Sequence, residues 1–247
     1  MAARRVRAAA AAARWNIERA LTLERLFVVM PTFNESANIQ AALQALAPLA
    51  ARGAQILVVD GGSLDATVQL ARVGGFQVIN ALCGRALQMN AGAQQASGDT
   101  LLFLHADTRL PSNADKLIAQ ALANGQQVWG RFDVQIAGQP RMLRVIAAFM
   151  NLRSRWTGIA TGDQAMFMTR AAFDAVGGFP NQPLMEDIEM SVRLRKLSPP
   201  ACLRARVVTS GRRWETFGVW RTVLLMWRLR FAYWRGAAPE RLAALYH

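Results

Sequence analysis

Residues Asp99–Pro111, DTLLFLHADTRLP, decide how the rest of the chain is read. Leu101 to Leu104 is an apolar run short enough to be a strand buried on both faces, as in the parallel sheet of an α/β domain. It stops at His105-Ala106-Asp107, three residues that a buried strand does not favour. Polar groups where a central strand meets its loop lie at the carboxyl edge of the sheet, where open α/β folds bind ligands. Asp107 is therefore a candidate carboxylate for a metal or a phosphate. The alternative is a strand-ending Asp that caps the helix after Pro111.

Upstream, Leu26 to Met30 is an apolar strand that ends in Pro31-Thr32-Phe33-Asn34-Glu35. Ser36 is expected to cap a helix to about Ala50, with Ile39, Leu43 and Leu46 at helical spacing, and Gly53 closes it. Gln55 to Val59 is a second buried strand, ending in Asp60-Gly61-Gly62-Ser63, and Asp65 begins a helix to about Val73. Phe76 to Ile79 is a third strand, and Gly84 to Ser97 is a small-residue helix leading into Leu101–Leu104. This β-α-β-α-β order predicts parallel strands in a doubly wound α/β layout. Strand ends 30–35, 60–63 and 105–107 then share one edge and bring Glu35, Asp60 and Asp107 together. Gly61 and Gly62 permit close backbone approach to a ligand, or simply a tight turn that caps the next helix. Neither a G-x-G-x-x-G fingerprint nor a P-loop occurs, which disfavours a dinucleotide-binding oxidoreductase.

The net charge of +13 is uneven. Residues 1–25 carry +4, residues 193–247 carry +10, and the middle of the chain carries −1. A near-neutral body with basic ends suits an anionic surface, lipid or nucleic acid, touched by the flanks. The two cysteines, Cys83 and Cys202, form no disulfide or metal pattern, and two histidines exclude a multi-histidine metal site. No uncharged stretch reaches the roughly 18 residues of a spanning helix. Residues 1–25 lack the apolar core of a secretory signal and read as a basic, disordered extension, so no export is expected.

Taken in order, several short motifs resemble family 2 glycosyltransferases of the GT-A fold. They are Pro31-Thr32-Phe33-Asn34-Glu35; Val59-Asp60-Gly61-Gly62-Ser63 with Asp65 and Thr67; and Gly84-Arg85-Ala86 with Asn90 and Gly92. His105-Ala106-Asp107, Gly177-Gly178-Phe179 and Glu186-Asp187-Ile188-Glu189 follow, over roughly residues 26–197. The wording GRALQMNAGA and FLHADTRLP is similar to a bacterial subset of the family with poorly defined acceptors.

The resemblance implies a nucleotide-binding α/β sandwich with a mostly parallel central sheet, followed by basic amphipathic C-terminal helices. It implies a nucleotide-diphosphate sugar, UDP or GDP type, as donor, and Mg²⁺ or Mn²⁺ as cofactor. Such ions use one or two carboxylates plus substrate phosphates, so Asp107 would be the metal ligand. Pro31, Thr32, Glu35, Asp60, Gly62, Arg85, His105 and Asp107 would line the donor site. Arg85 is a second phosphate clamp, since a guanidinium matches phosphate oxygens in fork geometry, or else a surface arginine. Two positions depart from the family pattern. Gly61 stands where a second acid is usual, and His105 begins what is usually Asp-x-Asp; its imidazole would contact a ribose hydroxyl or be a buried, satisfied histidine.

Transfer with inversion needs one carboxylate to take the acceptor's proton. By resemblance that base is Asp187, with Glu186 beside it to raise its pKa by like-charge repulsion. The competing reading is an acidic helix N-terminus that favours the macrodipole. The Gly162-Asp163-Gln164 loop is expected on the acceptor side, and Trp129–Asp133 on a strand lining the same cleft. Glu215 to Arg235 reads as one helix with Arg221, Arg228 and Arg235 at seven-residue spacing among Trp220, Trp227, Phe231, Tyr233 and Trp234. That composition fits a helix lying in a membrane interface, or one packed on the catalytic domain.

The expected organisation is a basic extension over 1–25, a GT-A catalytic domain over 26–205 and a basic aromatic tail over 206–247. The expected activity is metal-assisted, inverting transfer of a hexosyl type to a lipid-like acceptor, in the cytoplasm and peripheral on the inner face of the membrane. The alternatives are a sugar nucleotidyltransferase, which would need a basic glycine-rich loop after the first strand, and a non-catalytic or nucleic-acid-binding protein. No specific nucleic acid is expected as a partner.

Overall fold

A computed structural model describes residues 26–246, so the extension expected over 1–25 lies outside the described residues. The first half alternates as expected: β1 (Leu26–Thr32), α1 (Ser36–Ala51), β2 (Gln55–Asp60), α2 (Thr67–Val73), β3 (Gln77–Asn80), α3 (Arg85–Gln95) and β4 (Thr100–Phe103). These four strands are mutually parallel in the order β3-β2-β1-β4, which brings their carboxyl ends to one edge. β1 is buried along its whole length and divides two cores by strand alternation. Val28 and Met30 join Ile39, Leu43 and Leu46 of α1 on one face. Phe27 and Val29 join Ala86, Met89 and Ala93 of α3 on the other.

The small residues of α3 have a steric reason. A Cβ at Gly92 would stand 2.4 Å from Val29 Cγ1 and 2.9 Å from Val59 Cγ2, so glycine lets this helix settle on the sheet. The cap expected from Ser36 is replaced. Glu35 takes the cap position, and the Ser36 backbone N–H donates to Asp65 Oδ2 at 3.0 Å, so α1 is capped from the next loop.

The second half holds β5 (Thr108–Arg109), α4 (Ala114–Leu122), β6 (Trp129–Ala137), α5 (Met142–Thr157), a 3₁₀ turn at Gly162–Gln164, β7 (Phe167–Thr169), α6 (Arg170–Ala175), α7 (Glu186–Leu194) and β8 (Ala201–Ser210). The sheet continues from β4 as β7-β6-β8-β5, with β7 antiparallel to both neighbours, β6 and β8 parallel, and β5 antiparallel to β8. The result is an eight-stranded, mostly parallel sheet whose parallel run ends at β4. The boundary expected after residue 205 falls inside β8, which keeps 206–210 in the sheet.

Trp129–Asp133 does not line the cleft. Trp129, Arg131 and Phe132 are wholly buried, and Trp129 Nε1 donates to the Ser198 carbonyl at 2.9 Å. The tail helix is also not one piece. Gly218, at φ +82°, separates α8 (Arg212–Phe217) from α9 (Val219–Trp234), and α10 (Pro239–Tyr246) follows. Leu229 and Leu242 of these helices pack on Met185, with Leu184 and Ile188 alongside, so the tail is seated on the segment that enters α7. Among the described residues no helix is long and apolar enough to cross a membrane.

Candidate active site

At the carboxyl edge the loops after β1 and β2 form a single hydrogen-bonded unit. Asp60 Oδ2 accepts the N–H groups of Gly62 at 2.9 Å and Ser63 at 2.8 Å, and Asp60 Oδ1 accepts the Ser63 hydroxyl. Thr32, the register partner of Asp60, donates its hydroxyl to Oδ1 at 3.4 Å. Asn34, at φ +53°, accepts Leu64 N–H through its side chain at 2.9 Å, and its own N–H donates to Ser63 Oγ at 2.9 Å. Glu35 N–H donates to Thr67 Oγ1 at 2.8 Å, and the Glu35 carboxylate accepts from Asn38 Nδ2 at 2.7 Å. Pro31 is buried beside Thr32, while Gly62 is exposed at φ +93°. Asp60 thus spends its carboxylate on the turn, the reading that the Gly-Gly sequence left open.

Gln88 explains why Gly61 has no side chain. Its amide donates to the carbonyls of Thr32 at 2.7 Å and Val59 at 2.8 Å, which pins the ends of β1 and β2 together. A Cβ on Gly61 would meet that amide at 3.0 Å. Where the family usually carries a second acid, this chain has a buried clamp from α3. Its only sequence signal is a polar residue on the apolar face of a helix.

A small pocket opens beside this unit, lined by Arg85, His105, Gly162, Glu186 and Asp187 with Met89, Phe103, Met166 and Phe179 as its apolar wall. Elements distant in sequence meet here: the end of β4, the start of α3, the 3₁₀ turn and the start of α7. Asp187 Oδ2 accepts Gly162 N–H at 2.9 Å, and its Oδ1 accepts the Ile188 N–H at 2.8 Å. Arg85 donates to Glu186 Oε1 at 3.1 Å. His105 Nδ1 lies 3.6 Å from Asp163 Oδ1. Gly162 must be glycine, because a Cβ there would stand 2.4 Å from His105 Cε1. Met185, in the left-handed region at φ +66°, turns the chain sharply into α7 and aims Glu186 and Asp187 at the pocket.

Burial, and then the Glu186 charge, push the Asp187 carboxyl up to about 6, against the Gly162 N–H and Arg85. Repulsion from Glu186 acts as expected, but loss of solvent is the larger cause. Partial desolvation works against the charge of Arg85, whose side chain stays 45% exposed, and the carboxylates of Glu186, Asp187 and Asp163 outweigh it and hold its pKa above the ordinary value. Partial desolvation acts to raise Asp163, whose side chain stays 47% exposed, but the His105 contact, Arg85 and Arg153 carry it below the usual carboxylate range. Glu186, Asp187 and Glu189 stand in the first turn of α7, as the helix-terminus reading has it, and Glu186 and Asp187 also line the pocket.

Of the three loop residues expected on the acceptor side, Gly162 and Asp163 reach the pocket region and Gln164 does not. Gln164 is fully buried; its Oε1 accepts Thr161 N–H at 3.2 Å and its Nε2 donates to Asn151 Oδ1 at 3.4 Å. It fixes the turn from below. Asp107 is half-buried in the turn after β4 and accepts the Thr108 hydroxyl at 3.3 Å. It forms no ion pair among the described residues. No group of three or more His, Cys, Asp or Glu that could cage a metal occurs among them either. That donor set fits an ion held by one carboxylate and otherwise by ligand phosphates and water.

The family model for glycosyl transferase family 2 matches residues 27–177. The chain belongs to glycosyl transferase family 2. A "Probable glycosyltransferase YdaM" of Bacillus subtilis (strain 168) is 26% identical over 244 residues, covering 87% of this chain and 55% of that relative, so the chain spans about half its length. Among solved structures, the mannosyltransferase PcManGT from Pyrobaculum calidifontis, in complex with GDP-Man and Mn²⁺, superposes with a TM-score of 0.61 at 18% identity. It covers 90% of this chain and 68% of its own. S. aureus TarS 1-349 in complex with UDP gives 0.60 at 20% identity, over 75% of this chain and 60% of its own. Glucosyl-3-phosphoglycerate synthase from Mycobacterium tuberculosis, with Mn²⁺, UDP and glucosyl-3-phosphoglycerate, gives 0.55 at 17% identity, over 77% and 72%. The GT-A-type fold implied by the motifs is thus shared with these solved glycosyltransferases.

Proposed function

We propose that the chain transfers a hexosyl group, with inversion, from a UDP- or GDP-sugar to an acceptor hydroxyl. The observation that carries this is Asp187, whose carboxylate faces the pocket with a pKa raised to about 6. Such a base is largely ionised near neutral pH yet more basic than an ordinary carboxylate. As the hydroxyl oxygen attacks the anomeric carbon, its proton passes to Asp187. The bond from that carbon to the diphosphate oxygen breaks, and the electron pair leaves with the diphosphate. Arg85, already beside Glu186, stands at the pocket wall where it can pair with that leaving charge. Asp107 would hold Mg²⁺ or Mn²⁺, which when bound offsets charge on the diphosphate. The loops fastened by Asp60, Thr32 and Asn34 form the donor shelf with Pro31, Glu35 and Gly62, and His105 closes its inner side.

A lipid-like acceptor at an anionic membrane surface fits the tail. On α9, Trp220, Leu224, Trp227, Phe231 and Trp234 recur at steps of four and three residues and are all exposed, with Arg221, Arg228 and Arg235 exposed beside them. A bare aromatic stripe edged by arginine matches the apolar depth and negative charge of a lipid interface. The chain then works as a catalytic domain that runs through the end of β8 at Ser210 and a docking tail beyond it, on the cytoplasmic face.

Calorimetric titration of UDP, GDP and their sugar conjugates, with and without Mn²⁺, tests the donor assignment. Metal-dependent binding is expected in the wild type and in Asp187→Ala, and its loss in Asp107→Ala. No nucleotide binding under any condition refutes the transferase assignment. Sedimentation with phosphatidylglycerol and phosphatidylcholine vesicles tests the tail; equal binding to both refutes the anionic surface.

A further inference from the structure

Two arginines sit in the layer made by β6, α5 and the Gly162–Gln164 turn, and their bonding is opposite. Arg131 is wholly buried and fully paired: Nε donates to Ser154 Oγ at 3.0 Å, Nη2 to the Asn151 carbonyl at 3.1 Å, and Nη1 to Asp133. Arg153, two residues along α5 from Asn151, has its Nε and Nη2 buried with no hydrogen-bond partner. The three charged groups whose fields reach it are already engaged. Asp187 accepts from Gly162 and Ile188, Asp163 pairs with His105, and Arg131 is spoken for as described.

A guanidinium is always charged, and its buried N–H groups are costly to leave without acceptors. Burial lowers the pKa of Arg153, while the fields of Asp187 and Asp163 act to raise it. The sequence offered a neutral or apolar residue no obstacle here, because Met150 and Ile146 on the same helix pack into the core. Two buried guanidinium N–H donors that the protein does not pair, in the layer that also holds Asp187, suit an anionic acceptor.

We propose that Arg153 binds an anionic group, a phosphate or carboxylate, carried by the acceptor near the hydroxyl that Asp187 deprotonates. This rests on the transferase assignment above. The donor diphosphate is already provided for by Asp107 and Arg85, which come from β4 and α3. Arg153 comes from α5, beside the turn that bonds to Asp187. An anion held there fixes the hydroxyl against the base, and a guanidinium suits a planar carboxylate or a phosphate face through two parallel N–H donors. A phosphorylated small molecule and a phospholipid headgroup present the same chemistry.

The test is thermal unfolding of the full chain with increasing inorganic phosphate, with and without saturating nucleotide, for wild type, Arg153→Met and Arg153→Lys. Wild type is expected to gain stability with phosphate, and Arg153→Met to bind it at least about tenfold more weakly. Arg153→Met without phosphate is expected to melt no lower than wild type, since it removes an unpaired buried cation at similar side-chain length. Arg153→Lys keeps the charge without the fork and falls between; it carries the test if the Met variant does not fold. Because the phosphate response is read without nucleotide as well, failure of donor binding leaves a separate signature. A response to glycerol 3-phosphate assigns the anion to a soluble acceptor. A preference for phosphatidate over phosphatidylcholine vesicles that is lost in Arg153→Met, without a glycerol 3-phosphate response, assigns it to a headgroup. Equal phosphate responses in wild type and Arg153→Met, or none in either, overturn the proposal.

Discussion

The loops after β1 and β2 and the layer around α5 and α7 lie at the same sheet edge, yet they treat their polar groups differently. In the first, Asp60, Thr32, Asn34, Ser63 and Gln88 bond to one another and to the strand ends. In the second, Asp187 is held at a raised pKa, Met185 is strained at positive φ, and Arg153 keeps buried N–H groups without partners. A self-satisfied shelf is pre-organised and suits a ligand that differs little from one relative to the next. A layer with unmet charge is completed by what it binds. We read the first as the donor half and the second as the acceptor half.

The largest effect is expected from Asp187→Asn. Donor hydrolysis, followed as nucleotide release, should fall by roughly 10²–10⁴-fold while nucleotide binding by calorimetry is unchanged, because only the proton acceptor is lost. Parallel loss of binding would break the division into halves. Gly162→Ala comes next. Its Cβ would enter the space of the His105 ring, 2.4 Å from Cε1, and should cost about 1–3 kcal/mol in denaturant unfolding and depress nucleotide release with it.

Asp60→Ala strikes the other half. It removes the acceptor for Gly62, Ser63 and Thr32, and should cost about 1–3 kcal/mol of stability and weaken nucleotide binding, with little change in the pH profile of release. The profile itself belongs to Asp187. A base must be ionised to accept a proton, so release should be low below pH 6, rise through about 6 and level off above it. The smallest change is expected from Glu186→Gln. Removing the like charge lowers the Asp187 pKa, so the rising limb should move to lower pH; an upward move would show that Glu186 acts mainly through Arg85.

The parallel half of the fold was legible because each strand there is a short apolar run and each connection a periodic helix. Leu101–Leu104 and the turn at 105–107 needed no tertiary information. Beyond Asp107 the legibility drops. Trp129–Asp133 alternates in a way that fits a cleft, but Arg131 is buried because Asp133, Ser154 and Asn151 close around it, and those partners lie up to 23 residues away. Gln164 shares its loop with residues expected on the acceptor side, yet its partners are the Thr161 backbone and Asn151. Glu215–Arg235 read as one helix because helical periodicity survives a single glycine, whereas Gly218 adopts φ +82° and breaks it.

The sequence by itself determined the β-α alternation, the shared edge that gathers Glu35, Asp60 and Asp107, and the order of motifs that marks family 2. Local periodicity and short-range chain direction dictate all of these. Only the tertiary structure decided that Asp60 is spent on its own turn, that the Gln88 amide crowds the space over Gly61, and that two N–H groups of Arg153 are buried without a partner. Whether a polar group is satisfied depends on atoms brought in from distant parts of the chain, and no local pattern records them.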